Sequence, residues 1–511
     1  MTSAGRRSIV SSLIPFVVAA VGALLMAAAF PKMNASMLAP VGTVGLFWAW
    51  FGVSPRRAFW IGWLAGTVYF SINFAWFGET AGALIAPFGF LLALGPALAE
   101  GLVGFALAGL LTALLTGGLR KRSRVVRALV PLGSAAAFAA TEWLRAEGLG
   151  ELGVPFGSLG YTQVQTPFAP FAAFAGTYGI TFLLCILGAY AAYALRMRSV
   201  RGSGVDAGCA AALVVLACGL AWAFWPARNY PAPTVRVAAV QGNIAQSLKF
   251  ERGALAAAVE RYTRLTLRAA PAHPALVLWP ETVIPTAINR QPRLQATFAR
   301  LARRLHAELV VGTLTVNAAG AYNVLEAFAP DGTLASTYRK RQLVPFAEHI
   351  PLRAALAWIP WASYASNFLE GGSNGIFSVG PLRVAPIICW ESAFTKITNG
   401  DVRAGATALA ISTDDAWFGR TAGPYMHAQI AQMRALETGR WIVRAASTGI
   451  SGIIAPNGRY ERASALGESA VVSGTIGAPV DTAYASFGAP AVAALLAFLY
   501  LAVLAATRRA T

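Results

Sequence analysis

Leu382-Arg-Val-Ala-Pro-Ile-Ile-Cys389-Trp-Glu391 is an apolar run that ends in a thiol and a carboxylate. Its length and its β-branched residues predict a buried strand. A strand that is apolar at nearly every position is typical of a sheet covered on both faces. Cys389 therefore stands where a strand gives way to a turn. From such a position a nucleophile can face a ligand while nearby backbone N–H groups point at a developing oxyanion.

Other runs between residues 234 and 480 have the same strand-like character, and stretches of helical periodicity separate several of them. The predicted strands are 234–240, 276–279, 308–316, 382–389, 407–412, 441–446 and 469–475. The predicted helices are 252–268, 293–306 and 424–438. Strands that alternate with helices predict an α/β domain whose sheet faces are covered.

The rest of the chain has the composition of a membrane protein. Of the 511 residues, 56% are hydrophobic and only 12% are charged, whereas soluble proteins have roughly 25% charged residues. A helix needs about 20 mainly apolar residues to cross a bilayer. Seven such runs precede residue 228, and an eighth follows the α/β region. They lie at 9–29, 37–53, 58–78, 86–116, 126–144, 168–195, 207–226 and 486–507.

Basic residues between these runs alternate from one side to the other. They occupy both termini and the even-numbered connections: Arg6, Arg7, Arg56, Arg57, Arg120, Lys121, Arg122, Arg124, Arg127, Arg196, Arg198, Arg201, Arg508 and Arg509. The positive-inside rule then predicts cytoplasmic termini and an external domain at residues 228–485. A membrane domain with about seven helices occupies 1–227, and a last helix and tail occupy 486–511. This placement of charge explains the net charge of +19 and argues against a nucleic-acid partner.

Three reactive side chains lie where predicted strands or strand-like runs end: Glu281, Lys340 and Cys389. Together they make an acyl-transfer set, since a carboxylate can take the thiol proton and an ammonium can stabilise thiolate and oxyanion. Singly, each also has a structural interpretation. A buried cysteine is often an inert small hydrophobe, Glu281 could pair with an arginine, and Lys340 could belong to a solvated basic cluster.

Cys389 is the only one of the four cysteines outside the apolar runs. The soluble region therefore has no partner for an internal disulfide, and it has no CxxC motif. With four histidines in the chain and no HExxH pattern, the sequence predicts no metal site and no cofactor.

The spacing of the polar clusters resembles the carbon–nitrogen hydrolase (nitrilase) superfamily, which uses a Glu-Lys-Cys triad. Nearly the whole chain resembles the membrane branch of that superfamily, the apolipoprotein N-acyltransferases, including seven spans before the domain and one after it. The motifs that carry the resemblance are Val-Gln-Gly-Asn-Ile-Ala-Gln-Ser-Leu-Lys at 240–249, Trp-Pro-Glu-Thr-Val-Ile-Pro at 279–285, the segment 340–351, Cys-Trp-Glu at 389–391, Asp-Asp-Ala-Trp-Phe-Gly at 414–419, Gly-Pro-Tyr-Met-His at 423–427 and Met-Arg-Ala-Leu-Glu at 433–437.

The resemblance implies an αββα sandwich, a location in the bacterial inner membrane with the domain on the periplasmic side, and a two-step reaction. An acyl chain from a phospholipid, typically the sn-1 chain of phosphatidylethanolamine, would form a thioester on Cys389. It would then pass to the α-amine of the S-diacylglyceryl cysteine of an apolipoprotein. The resemblance assigns the triad to Glu281, Lys340 and Cys389. It gives Glu348 a role in positioning the lysine or assisting proton transfer, and Glu391 a supporting role beside the cysteine.

Two other functions stay open from the residues alone. One is a membrane-tethered amidase that hydrolyses its acyl-enzyme with water, and the other is a transporter or scaffold with an inactive domain. The large membrane part argues against the first, and the presence of all three reactive side chains argues against the second.

The chain departs from the family pattern at three positions, Phe250, Trp390 and Asp414, where Trp, Tyr and Asn are common. We expect four aromatic residues to contact substrate: Phe250, Trp361, Trp390 and Trp417. Trp361 belongs to an apolar loop at 358–368 that is either a lipid-facing arm or ordinary core.

Three further residues have two interpretations each. Glu100 and Glu142 lie in or near predicted spans, where a carboxylate either has a function or forms hydrogen bonds within the bundle. His427 either faces a ligand or packs at the start of a helix after Gly423-Pro424.

Overall fold

The computed structural model of the protein describes residues 3–82, 89–198, 202–249, 251–351 and 367–509. The chain divides into two compact units. The first comprises Met1–Leu149, Gly153–Trp225 and Phe487–Thr511. The second comprises Gly150–Leu152 and Pro226–Ser486.

The first unit is helical. Its α-helices before residue 225 are α1 Ser3–Ala28, α2 Leu38–Trp50, α3 Pro55–Asn73, α4 Ala75–Gly82, α5 Gly89–Glu100, α6 Leu107–Thr116, α7 Arg124–Trp143, α8 Ala172–Arg196 and α9 Ser203–Ala223. A one-turn π-helix, Gly101–Ala106, joins α5 to α6. Since that turn keeps the chain helical, the long fourth apolar run forms helix through all of its described part.

Six helical stretches among the described residues are long and apolar enough to cross a membrane: Ser11–Ala28, Ala93–Thr116, Arg124–Gly148, Ala169–Arg196, Ser203–Ala223 and Ala483–Arg509. The predicted count of about eight spans is therefore approximate. The second predicted run forms α2, which is apolar but has only 13 residues. The third begins in α3, which carries Arg56 and Arg57 in its first turn and is not among the six.

The carboxylates of Glu100 and Glu142 are both bonded inside the helical unit. Arg145 Nη1 lies 2.9 Å from Glu100 Oε2, with both side chains buried. Glu142 accepts hydrogen bonds from the Leu159 N–H at 2.7 Å and the Thr181 hydroxyl at 2.6 Å. These contacts favour the second interpretation of the two acids, in which they hold the bundle together.

The second unit contains two β-sheets. Its strands are β1 Val235–Gln241, β2 Leu276–Leu278, β3 Ile284–Ala287, β4 Glu308–Val316, β5 Ala321–Phe328, β6 Leu334–Arg339, β7 Phe377–Val379, β8 Leu382–Ile388, β9 Ala408–Thr413, β10 Trp441–Ala446, β11 Gly452–Ile454, β12 Tyr460–Ala463 and β13 Ala470–Ile476. The first sheet has the order β13-β1-β2-β4-β5-β6, with β3 beside β4. The second has the order β12-β11-β10-β9-β8-β7.

Each sheet has a central block of three parallel strands with antiparallel strands at its edges. The central parallel strands are β1, β2 and β4 in the first sheet, where β3 also pairs parallel with β4, and β8, β9 and β10 in the second. Four helices of the unit are α10 Ala254–Ala269, α11 Pro292–Leu305, α12 Thr395–Arg403 and α13 Gly423–Thr438. The long helix α14, Ala483–Arg509, ends the described chain.

Side chains on the two faces of each sheet enter different cores, because successive residues of a strand point to opposite sides. Val237 and Ala239 pack in the core between the sheets with Val384 and Val443. The alternate residues of β1 pack against α10 and α11. On the other sheet, Ile387 and its neighbours pack against α13. The result is a helix–sheet–sheet–helix sandwich, which confirms the predicted fold class.

Candidate active site

The triad predicted from the sequence is assembled in the second unit. Glu281 follows β2, Lys340 follows β6 and Cys389 follows β8. Lys340 Nζ lies 3.0 Å from Glu281 Oε1. The Cys389 sulfur is close enough to interact electrostatically with both charged groups. All three side chains are buried, with the cysteine 9% exposed. A buried site has a low effective dielectric, so these charges act strongly on one another.

The carboxylate of Glu281 is fixed at both oxygens. Oε1 accepts a hydrogen bond from Asn323 Nδ2 at 2.7 Å in addition to the contact with Lys340. Oε2 accepts the backbone N–H of Asp414 at 2.9 Å. Because both oxygens are held, the carboxylate has one orientation in which to receive a proton.

Lys340 lies between two carboxylates. Glu348 Oε1 is 2.9 Å from Lys340 Nζ, and it also accepts from Asn323 Nδ2 at 3.0 Å. Glu348 Oε2 accepts the N–H of Val344 at 2.8 Å. Burial alone would lower the pKa of Lys340, but the two carboxylates outweigh burial and hold that pKa well above its usual value. The amine is therefore an ammonium at neutral pH and cannot act as a base there.

Cys389 has a left-handed backbone conformation, with φ at +52°. This region disfavours residues other than glycine by roughly 1–2 kcal/mol, and strain of this kind concentrates at active sites. The residue opens a single 3₁₀ turn, Cys389–Ala393. The nucleophile predicted at a strand end therefore lies at the start of a turn.

The resting form of Cys389 is the neutral thiol. Burial raises its pKa well above the usual range, the neighbouring Glu281 carboxylate raises it further, and Lys340 opposes both. Thiolate is the nucleophile, so attack by this cysteine needs a base to take its proton. Glu281 is a carboxylate close enough to Cys389 to affect its pKa.

Glu391 ties together the two chain segments that carry the cysteine and the lysine. Its Oε2 accepts from the Ile388 N–H and from the Tyr338 hydroxyl, each at 2.7 Å. Its Oε1 accepts the N–H of Arg341 at 2.5 Å. This buried carboxylate therefore bonds to the end of β8 and to the end of β6 at once.

The four aromatic residues expected to contact substrate are placed differently. Trp390 is buried, 7% exposed, with its ring centroid 6.0 Å from that of Phe394. Trp417 is 43% exposed in the short turn after β9. Phe250 and Trp361 lie outside the described residues, as do Trp358, Ile359 and Tyr364 of the apolar loop. Of the loop residues expected to form the arm, only Phe368 is described, and its N–H donates to the Glu348 carbonyl at 3.0 Å.

Asn323 is a site residue that the sequence did not reveal. It lies in β5 and binds the carboxylates of Glu281 and Glu348 through the same amide nitrogen. No motif marks Asn323, and β5 was not predicted as a strand.

Asp414, one of the three departures from the family pattern, is paired inside the domain. Its carboxylate bonds to Lys249 and to the Ser447 hydroxyl, while its N–H binds Glu281. The added charge at this position therefore has its own counter-ion.

Models of two known protein families match the two units of the chain. Residues 236–481 match the model of the carbon-nitrogen hydrolases, and residues 22–190 match the N-terminal domain of apolipoprotein N-acyltransferase. A nitrilase-superfamily protein from Saccharomyces cerevisiae has 18% identity and a TM-score of 0.38, covering 48% of this chain and 91% of its own. The match of residues 236–481 to the family model identifies the second unit as a carbon–nitrogen hydrolase domain.

Relatives of similar length carry both units. The apolipoprotein N-acyltransferase of Caulobacter vibrioides is 34% identical over 463 residues, covering 86% of this chain and 84% of its own. That of Azotobacter vinelandii is 33% identical over 442 residues, covering 82% of each chain. The chain belongs to the apolipoprotein N-acyltransferase family and is an acyltransferase of a bacterial membrane.

Proposed function

We propose that this enzyme moves an acyl chain from a phospholipid to the α-amine of the S-diacylglyceryl cysteine of an apolipoprotein, through a thioester on Cys389. N-acyl transfer in lipoprotein maturation is the function of the family. The observation that carries the role of the site is the contact of the Lys340 ammonium with Glu281, next to a neutral buried thiol. A base, a cation and a nucleophile are thereby brought together.

The first half-reaction transfers the acyl chain to the enzyme. Glu281 takes the Cys389 proton as the sulfur attacks the ester carbonyl of the phospholipid. The Lys340 ammonium stabilises the negative charge that develops on the carbonyl oxygen. The carbon–oxygen bond to the glycerol then breaks, and the lysophospholipid oxygen receives the proton from Glu281. The products are a thioester on Cys389 and a lysophospholipid.

The second half-reaction uses the same groups in reverse order. The neutral α-amine of the acceptor attacks the thioester carbonyl, and Glu281 takes a proton from that amine. The carbon–sulfur bond breaks with the sulfur leaving as thiolate beside Lys340. Return of the proton from Glu281 to Cys389 restores the resting enzyme and releases an amide.

Two glutamates support this cycle in our proposal. Glu348 binds Lys340 together with Glu281 and helps to keep it charged. Glu391 fixes the backbone beside the nucleophile. The aromatic residues Phe250, Trp361, Trp390 and Trp417 are proposed as substrate contacts on the sequence argument.

The donor and the orientation are also part of the proposal. Phosphatidylethanolamine, through its sn-1 chain, is the proposed donor. Residues 1–227 form the membrane domain, residues 228–485 the periplasmic catalytic domain, and residues 486–511 the last helix and a cytoplasmic tail. The charge alternation between the spans supports this orientation.

An impermeant thiol reagent tests the orientation in intact cells. A cysteine introduced at Asn317, in the exposed turn between β4 and β5, should react from outside. A cysteine at Ser123, before α7, should react only after lysis. Reaction at 123 with protection at 317 would invert the topology.

Mass spectrometry tests the nucleophile directly. The purified full-length protein is incubated with phosphatidylethanolamine vesicles, and its peptides are searched for an acyl adduct that hydroxylamine removes. The adduct should lie on the peptide containing Cys389, and a Cys209→Ser variant, altered at an exposed thiol of α9, should still form it. An adduct on another residue, or none, would contradict the proposal.

Addition of an acceptor separates transfer from hydrolysis. A diacylglyceryl dipeptide should discharge the adduct and yield an N-acylated product. The runner-up function, a tethered amidase, predicts instead that water discharges the adduct equally fast without the acceptor. The helices of the first unit, six of them apolar and long enough to span a membrane among the described residues, favour a lipid substrate.

A further inference from the structure

A buried polar cluster lies beside the nucleophile turn and takes no part in the proton transfers above. Its members are Ser392, Asp415, His427 and Arg444, and each is 0% exposed. They come from four separate elements: the turn that Cys389 opens, the turn after β9, helix α13 and strand β10. Burying four polar side chains is unfavourable unless they bond to one another, so the pattern of bonds is informative.

Asp415 anchors the cluster. Arg444 Nη2 donates to Asp415 Oδ2 at 2.7 Å, and the Thr413 hydroxyl donates to Oδ1 at 2.9 Å. His427 Nδ1 lies 2.8 Å from the same Oδ1. Burial alone would raise the pKa of Asp415, but Arg444, His427 and Thr413 together outweigh burial, and the pKa lies below its usual value. Asp415 is therefore a carboxylate, and it has no hydrogen to donate.

This charge state decides the hydrogens of His427. Since Asp415 can only accept, Nδ1 of His427 carries a hydrogen and donates it. Burial lowers the pKa of His427, and the nearby Arg444 lowers it further. The ring is then neutral, and Nε2 presents a lone pair.

The lone pair of His427 faces the nucleophile turn. Ser392 Oγ lies 2.9 Å from Nε2 and 2.8 Å from the carbonyl oxygen of Cys389. The same Nε2 is 3.2 Å from that carbonyl oxygen. Ser392 has one hydroxyl hydrogen and two acceptors for it, the Nε2 lone pair and the Cys389 carbonyl oxygen. The hydroxyl therefore links the imidazole to the main chain of Cys389.

The backbone at Cys389 needs such support. Its φ of +52° is a conformation that glycine adopts freely and cysteine does not. The chemistry requires a thiol at this position, so glycine is not available. A conformation of this kind persists only when surrounding contacts fix it, and the cluster supplies contacts at the residue itself.

We propose that His427 is a positioning residue for the nucleophile. Asp415, fixed by Arg444, orients the imidazole, and the imidazole with Ser392 holds Cys389 in the conformation that directs its sulfur at Glu281 and Lys340. The inference rests on Cys389 being the nucleophile of the proposed function.

Substitution of His427 by Leu tests the role. The full-length variant in vesicles should acylate Cys389 about 100-fold more slowly at saturating phospholipid, because a misplacement of about 1 Å at a reacting group costs about that much. Its KM for phospholipid should stay within about twofold, since lipid contacts are unaltered. His427→Gln retains an acceptor for Ser392 and should recover about tenfold of the loss.

The matched control is Gln432→Leu. Gln432 lies on the same helix, is buried, and donates to the Gly458 carbonyl at 2.8 Å, so this variant also loses a buried hydrogen bond. It should acylate within about twofold of the parent enzyme. If the His427 and Gln432 variants lose rate equally, or if His427→Leu changes only thermal stability, the positioning role is wrong.

A double-variant cycle with Ser392→Ala tests whether the two residues act as one unit. The single variant Ser392→Ala should also slow acylation, and the double variant should be no slower than His427→Leu alone. Effects that multiply would overturn the inference, because independent sites behave in that way. Ser392→Ala serves alone if His427→Leu fails to fold, and a normal acylation rate in it would overturn the inference.

Cys389→Ser separates failure of the positioning role from failure of the nucleophile assignment on which that role rests. If that variant retains activity, the nucleophile assignment itself is wrong. If it is inactive while His427→Leu and Ser392→Ala acylate normally, only the positioning role fails.

Discussion

Two buried charge clusters of the same composition occur in the two units, and their surroundings differ. In the helical unit, Arg145 accompanies Glu100 and Glu142. In the catalytic unit, Lys340 accompanies Glu281 and Glu348. Each cluster is one cation with two carboxylates.

The cluster in the helical unit is bonded to backbone and hydroxyl groups. Arg145 Nη1 donates to the carbonyls of Val154 and Phe156 at 2.5 and 3.2 Å, and Nη2 donates to the Ser158 hydroxyl at 3.0 Å. Glu142 accepts the N–H of Leu159 at 2.7 Å. These bonds fix the irregular segment after α7, so the charges serve the fold.

Each cluster also has a buried cysteine near one of its carboxylates, Cys185 near Glu142 in the helical unit and Cys389 near Glu281 in the catalytic unit. In the catalytic unit the cation is an amine with three donors, and two of its contacts are to carboxylates at 3.0 and 2.9 Å. The neighbouring Cys389 is in a strained conformation and interacts with both signs of charge. Buried charges alone therefore do not mark a catalytic site. The catalytic unit differs because its cysteine lies in a strained turn and is close to both a carboxylate and a cation.

The largest effect should come from removing the sulfur. Cys389→Ser should lower N-acylation of a diacylglyceryl peptide by at least about 1000-fold, because an alcohol is a far weaker nucleophile than a thiolate near neutral pH. The variant should still insert and elute as folded protein from a sizing column in detergent. Near-normal turnover by the folded variant would remove the basis for calling this cluster catalytic.

Removing either charged partner of Cys389, Glu281 or Lys340, should slow thioester formation by about 100-fold or more. Glu281→Gln leaves an amide that cannot accept the thiol proton. Lys340→Met removes the positive charge near thiolate and oxyanion. Single-turnover acylation, followed by mass spectrometry, measures both, and normal acylation in either variant would show that its assigned role is wrong.

The corresponding change in the helical unit should affect stability and leave the chemistry intact. Arg145→Met leaves Glu100 as an unpaired buried charge, and losing one partner of a buried pair costs about 3–5 kcal/mol. The variant should unfold at a lower temperature in detergent. The fraction that stays folded should acylate at the parent rate. A loss of rate in folded Arg145→Met would end the distinction between the two clusters.

The pH dependence of thiol alkylation gives the finest test. The pKa of Cys389 is raised, so its alkylation by iodoacetamide should still be increasing at about pH 9, where an ordinary cysteine with pKa of about 8.5 approaches its plateau. The Glu281 carboxylate raises this pKa and Lys340 lowers it. Glu281→Gln should therefore shift the profile to lower pH, and Lys340→Met to higher pH. Shifts in the opposite directions would contradict the electrostatic roles.

Strands whose two faces are both buried could be predicted from the sequence as short apolar runs. All seven predicted runs are strands whose ends differ by at most one residue from those predicted. Of the strands that were missed, β5 and β11 are mostly buried, whereas β6 and β12 have polar or exposed sequences. In β6, Leu-Ala-Ser-Thr-Tyr-Arg, and in β12, Tyr-Glu-Arg-Ala, most side chains are partly or fully exposed. Such edge strands are formed by pairing with a neighbour, and pairing partners are distant in sequence.

The triad could be predicted from the sequence, whereas other residues of the site could not. Glu281, Lys340 and Cys389 stand at chain positions that buried strands or known motifs mark. Asn323 stands at no such position. His427 ends the Gly-Pro-Tyr-Met-His motif, but its partners could not be predicted, because the contacts of these two residues span 42 and 38 residues of the chain. A helix start after Gly423-Pro424 was one of two interpretations of His427, and its location there in α13 is compatible with its bonds to the nucleophile turn.

By itself the sequence determined which segments are apolar enough for lipid, which short runs form the central strands, and where a lone thiol lies outside the membrane helices. These are properties of composition and period, which a chain carries without folding. The tertiary structure decided that Lys340 lies between two carboxylates, and that Cys389 adopts a left-handed backbone conformation within buried Asp415, His427 and Ser392. Charge states and strained conformations depend on burial and on partners from distant strands, and only the packing of two sheets against each other creates those surroundings.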